Sequence, residues 1–152
     1  MTLDLTTIIN VVAGHALASG YFDTVNGHEP LSPPASGVTC AVWTEMIGPA
    51  RGGSGLNSTS ARLALFVRLY TPMVQLPSDA IDPNMMAALD ALFTAYSGDF
   101  TLGGLVREVD LLGTYGEPLS GRAGYLKTSG TDYRVFTITL PLVVNDLWEQ
   151  VA

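Results

Sequence analysis

Read as a pattern of apolar and polar positions, the chain opens with a helix. Leu5, Ile8, Ile9, Val12, Ala16 and Leu17 recur at three- and four-residue steps from Asp4 onward, which is one apolar stripe of an amphipathic helix. Gly20 is its natural stop. The stretch YFDTVNGHEPLSPPASG, residues 21 to 37, carries three prolines and an Asn-Gly step, predicting a short extended piece followed by a loop. VTCAVWTEMI (38–47) is rich in strand formers. In ARLALFVRLYT (61–71), Arg62, Ala64, Phe66, Arg68 and Tyr70 alternate with Leu63, Leu65, Val67 and Leu69, so the two runs predict a long hairpin. The connection between them, Gly48 to Ser58, holds Arg51, Gly52, Gly53, Ser54 and Gly55 and is expected to be mobile unless a partner orders it.

Asp82 followed by Pro83 predicts a helix cap and first turn, with Met86, Leu89, Leu92, Phe93 and Tyr96 on the buried face and an end near Gly98. The segment LVREVDLLG (105–113) also alternates: Leu105, Arg107, Val109 and Leu111 against Val106, Glu108, Asp110 and Leu112. A strand there places Glu108 and Asp110 on one face, where they repel unless wet or paired. The last stretch, 122–144, predicts two strands about a turn at Ser129 and Gly130, with Val135, Thr137 and Thr139 opposed to Phe136, Ile138 and Leu140. Pro141 is expected at an edge or a strand end. The order is helix, two strands, helix, three strands. It predicts a single α+β domain over residues 1–152, two helices packed on an antiparallel or mixed sheet of about five strands.

Composition changes the picture in one respect. Charged residues are only 14% of the 152 while apolar ones reach 47%, and mean hydropathy is +0.31. Something must cover that surface. The longest apolar runs, such as LALFV and LPLVV, fall far short of the roughly 20 residues of a spanning helix. The start, MTLDLTTIINVV, has no basic region before its apolar residues, so no secretory signal is expected. The expected cover is protein, in a homo-oligomer or larger assembly. A formal charge of -7 opposes tight binding of nucleic acid.

Candidate chemistry is sparse. His15 and His28 have no second histidine or cysteine at ligand spacing, so no metal or other cofactor is expected. Cys40 is expected to be a buried, inert thiol. No Gly-x-Ser-x-Gly elbow is present, and GPARGGSG lacks the lysine of a phosphate loop. Glu108 and Asp110 lack a third group, and the charges Arg107, Glu108 and Asp110 are expected to line a surface that meets solvent or another subunit. No enzymatic activity is expected. A ligand pocket built from Tyr96, Tyr115, Glu108 and Asp110 is the rival reading.

NGHEP, AVWTEMIGPAR, SGLNSTSARL, DAIDPNMMAALDALFTAYSGDFTLGGLVREVDLLG and GYLKTSGTDYRVFTITLPLVVNDLW together resemble the tail terminator proteins of long-tailed, siphovirus-type phages of actinobacterial hosts. The resemblance covers nearly the whole chain, and AYSGDFTLGGLVREVDLLG is its most specific part. It implies a structural virion protein without catalytic residues, assembled in the host cytoplasm. The subunit would form a hexameric ring that caps the head-proximal end of the tail tube, ends its growth and joins it to the head-to-tail connector, with DNA passing through the lumen unbound. A head-to-tail stopper or tail-completion protein is the near alternative. Candidate contacts to tube or neck are the loop at Arg51 to Gly55 and the tip at Lys127, Thr128, Ser129 and Gly130.

Overall fold

The computed structural model describes residues 3–28, 38–50, 58–72, 81–128 and 130–149. Helix α1 runs Leu5–Ser19. The Asp4 carboxylate caps it, accepting from the Thr7 N–H at 3.2 Å and the Thr7 hydroxyl at 2.7 Å, and Gly20, at φ 78°, closes it in the left-handed conformation that glycine adopts without strain. Ile8, Val12 and Ala16 form the buried line. Leu17, expected in that stripe, is 65% exposed instead, because this strict four-residue line is what faces the sheet.

Helix α2 spans Ile81–Gly98. It begins one residue before the expected cap, so Asp82 sits in the first turn and the buried face runs through Ile81, Met85, Ala88, Leu89, Leu92 and Tyr96. Met85 therefore takes the core position expected of Met86, which is half exposed.

Among the described residues six strands form one mixed sheet: β1 Thr24–Asn26, β2 Thr39–Pro49, β3 Ser58–Pro72, β4 Glu108–Val109, β5 Ser120–Thr128 and β6 Thr131–Glu149. The order is β1-β2-β3-β6-β4, with β5 also on β6. β1 lies parallel to β2 and every other pairing is antiparallel. The expected hairpin is β2 and β3, paired from Thr39 opposite Tyr70 to Pro49 opposite Ala61. Its strands reach Pro49 and Ser58, so the connection is shorter than expected. Residues 51–57 lie outside the described ones.

The alternation in β3 sorts the sheet's faces. Leu63, Leu65, Val67 and Leu69 join Cys40, Val42, Phe136, Ile138, Leu140 and Leu142 against both helices. On the other face Ala41, Tyr70, Tyr133 and Val135 pack with Trp43 and Leu126. Arg68 lies over Trp43 at 5.3 Å and donates to the Thr137 hydroxyl at 2.8 Å, giving a charge on this second apolar face both a π partner and an acceptor.

Pro141 corrects the expectation of an edge: it sits inside the central strand, opposite Ala64. Its carbonyl accepts from the Asp110 N–H on the other side, and in an extended strand its nitrogen points the same way. There β6 changes partners, β5 ending at Thr139 and β4 beginning at Leu142. The missing N–H thus falls at a gap in the ladder, the place a sheet tolerates proline.

Candidate functional site

The charged segment after α2 folds differently from its alternation. β4 is only two residues long because the chain turns away at Asp110. That carboxylate accepts the backbone N–H groups of Thr114 at 2.7 Å and Tyr115 at 3.0 Å, a side-chain-to-backbone capture that competes with the strand ladder. Asp110 is 3% exposed. The expectation that it shares a wet strand face with Glu108 is therefore corrected: Glu108 remains half-exposed in β4, and Asp110 is the buried centre of a turn.

Its countercharge is Arg62 of β3, whose Nε lies 3.6 Å from Oδ2. The same guanidinium donates to the Glu117 carbonyl. Gly116 lies against it so closely that a Cβ there would come within 2.5 Å of Cζ, so the absent side chain is what lets the turn close over the arginine. Arg107 faces solvent, reaching Asn145 Oδ1 at 3.4 Å and lying over the Tyr115 ring at 5.9 Å.

Among the described residues the four members of the rival pocket do not line one hollow. Tyr96 is fully buried, its hydroxyl pointed at the Val12 carbonyl, whereas Tyr115 belongs to the turn beyond Asp110. The hollow beside Glu108 and Asp110, about 230 Å³, is lined otherwise by Phe100, Val109, Leu111, Leu112 and Thr114. A larger concavity of about 460 Å³ lies on the face away from the helices, among Glu45, Phe66, Arg68, Arg122, Tyr125 and Thr137.

Several titratable groups elsewhere are fixed by burial or by structural partners. Burial pushes the Cys40 thiol up to about 12, as expected of an inert thiol. Burial also holds the Tyr96 hydroxyl well above its usual range, with Cys40 adding to it. His15 Nε2 and Asp99 Oδ2 are 2.9 Å apart, linking α1 to the end of α2. That hydrogen bond, with one from the Gly103 N–H, holds the Asp99 carboxyl below the usual carboxylate range. Arg134 binds Asp82 through Nε at 3.0 Å and Nη2 at 3.3 Å, tying the start of α2 to β6. Its pKa is raised by that carboxylate. Among the described residues there is no group of three His, Cys, Asp or Glu side chains placed to hold a metal ion, and no helix is long and apolar enough to cross a membrane.

Of the expected contact loops, Arg51, Gly52, Gly53, Ser54 and Gly55 lie outside the described residues, as does Ser129. The tip at 127–132 is the closed end of the β5–β6 hairpin. Lys127 pairs with Asp132 and Thr128 with Thr131, and Gly130, at φ 78°, turns the chain. Strand pairing therefore continues to within two residues of closure.

The alternation did not indicate which sheet edges stay open. Among the described residues β5 pairs with β6 alone, and β2 from Val42 onward pairs with β3 alone, since β1 covers only Thr39 to Ala41. Near these edges Met46, Ile47 and Tyr125 are 52%, 42% and 70% exposed. An open strand edge presents unpaired N–H and C=O groups to any strand that reaches it. A signal was present in the apolar excess, but it carries no address.

No family model matches the chain. No curated protein matches it either. Among solved structures, it is similar to a chain of the virion of a native gene transfer agent particle, at 12% identity and a TM-score of 0.44, over 90% of this chain and 93% of that one.

Proposed function

We propose that this chain is a structural virion subunit of the tail-terminator kind. It assembles with copies of itself into a hexameric ring on the head-proximal end of a phage tail tube, ends tube growth and joins the tube to the head-to-tail connector. The observation that carries the reading is the pair of sheet edges without a strand partner among the described residues, bearing exposed Met46, Ile47 and Tyr125, in a chain with only 14% charged residues. Apolar side chains at unpaired edges are a liability in a monomer and a joint in an assembly. The sequence resemblance supplies the particular assembly.

Arg107 and Glu108 are the charges offered to a neighbour or to the lumen, with Asp110 fixing the turn behind them. Arg51 to Gly55 and the hairpin end at Lys127 to Gly130 are the proposed contacts to tube and neck. The net charge of -7 lets DNA pass without the counterion release that would hold it.

Light scattering on the purified protein, alone and with its tail-tube protein, tests the reading. The expected result is a ring-sized mass, at least when the tube protein is present. A monomer indifferent to the tube protein overturns it.

A further inference from the structure

We propose that copies of this chain join edge to edge, β5 of one adding to the open half of β2 of the next, so that the sheet runs on from subunit to subunit. The inference rests on the ring reading above and adds the joint.

Strand direction is the first support. Along β2, β3, β6 and β5 each neighbour is antiparallel to the last. A second copy set alongside in the same orientation therefore brings its β5 antiparallel to β2, the pairing with straight hydrogen bonds. Four strands, an even number, make this work.

Charge is the second. Glu45 is the extra residue of the bulge between Thr44 and Met46, exposed on the β2 edge. β5 carries Arg122 and Lys127, both exposed. Among the described residues none of the three has an opposite charge within ion-pair distance. Pairing β5 with β5 about a twofold axis would bring basic residues together, and pairing β2 with β2 would bring acidic ones together. Joining β5 to β2 matches them, and such a head-to-tail joint propagates into a ring or a filament.

Register is the third. The middle of the open β2 stretch, Met46, is level with Pro141 of β6 through Ala64, while the middle of β5, Gly124, is level with Val135. Six residues of β6 separate those levels, about 20 Å of strand, against about 19 Å for the width of four strands. The stagger per subunit thus tilts the strands by about 45°, close to the roughly 35–45° at which sheets close on themselves.

The test is a charge swap in the full chain, read by sedimentation velocity with and without the tail-tube protein: Glu45→Arg, Lys127→Glu, which the register makes its diagonal neighbour across the joint, and the double variant. Both substitutions are at exposed side chains, and unchanged thermal melting verifies the fold. Each single variant is expected to weaken self-association by about tenfold, and the double variant to restore it to within about threefold. If the wild type and all variants assemble alike, the edge joint is overturned while the ring stands. A wild type that stays monomeric in both conditions overturns the ring reading and the joint with it.

Discussion

β3 and the segment from Leu105 to Gly113 alternate equally well in sequence, yet one is a strand of 15 residues and the other a strand of two. β3 has partners along both sides, β2 and β6, and its alternate residues serve two apolar faces. In the later segment Asp110 takes two backbone N–H groups that a longer strand would have used, and Arg62 supplies the charge that lets the carboxylate be buried. Alternation states that a chain can be a strand. Whether it stays one depends on what its polar side chains find nearby.

The comparison breaks hardest at Asp110. Asp110→Ala leaves Arg62 buried without its countercharge and frees two N–H groups, so it is expected to cost about 3–5 kcal/mol, measured by urea unfolding. A loss under about 1 kcal/mol would mean that the turn is held by something other than this carboxylate. Gly116→Ala, which forces a methyl into the Arg62 guanidinium, is expected to cost about 1–3 kcal/mol. Glu108→Gln, two residues from Asp110 and half-exposed, should stay within about 0.5 kcal/mol, and the contrast with Asp110→Ala measures how unlike the two acids are.

The remaining prediction concerns pH. Because the Asp99 carboxyl is held below its usual range by His15 and the Gly103 N–H, its contribution is complete above the unfolded value of about 3.9 and is lost as pH falls through the lower folded value. Thermal melts below about pH 4 should therefore decline less steeply with acid in Asp99→Asn than in the wild type. Equal slopes would remove the clasp between α1 and α2 from the account.

Local patterns made much of this fold legible. The stripe of α1, its stop at Gly20 and both faces of β3 follow from periodicities within one element. Long-range partners decide what was missed. The carboxylate of Asp110 is explained by an arginine on β3, Pro141 by a change of partners on β6, and the parallel pairing of β1 by a strand that only tertiary folding brings beside it. Met85 in place of Met86 came from a helix start displaced by one residue. At the candidate site, composition indicated a partner, whereas the edges that would meet it emerged only from the strand order.

Residue-resolved amide hydrogen exchange, compared between the free subunit and the assembled state, tests the central claim most directly. Slowed exchange at 42–48 of β2 and along β5, with the already protected ladder of β3 and β6 unchanged, is the predicted result. An assembled state in which both edges exchange as fast as in the free subunit would contradict it.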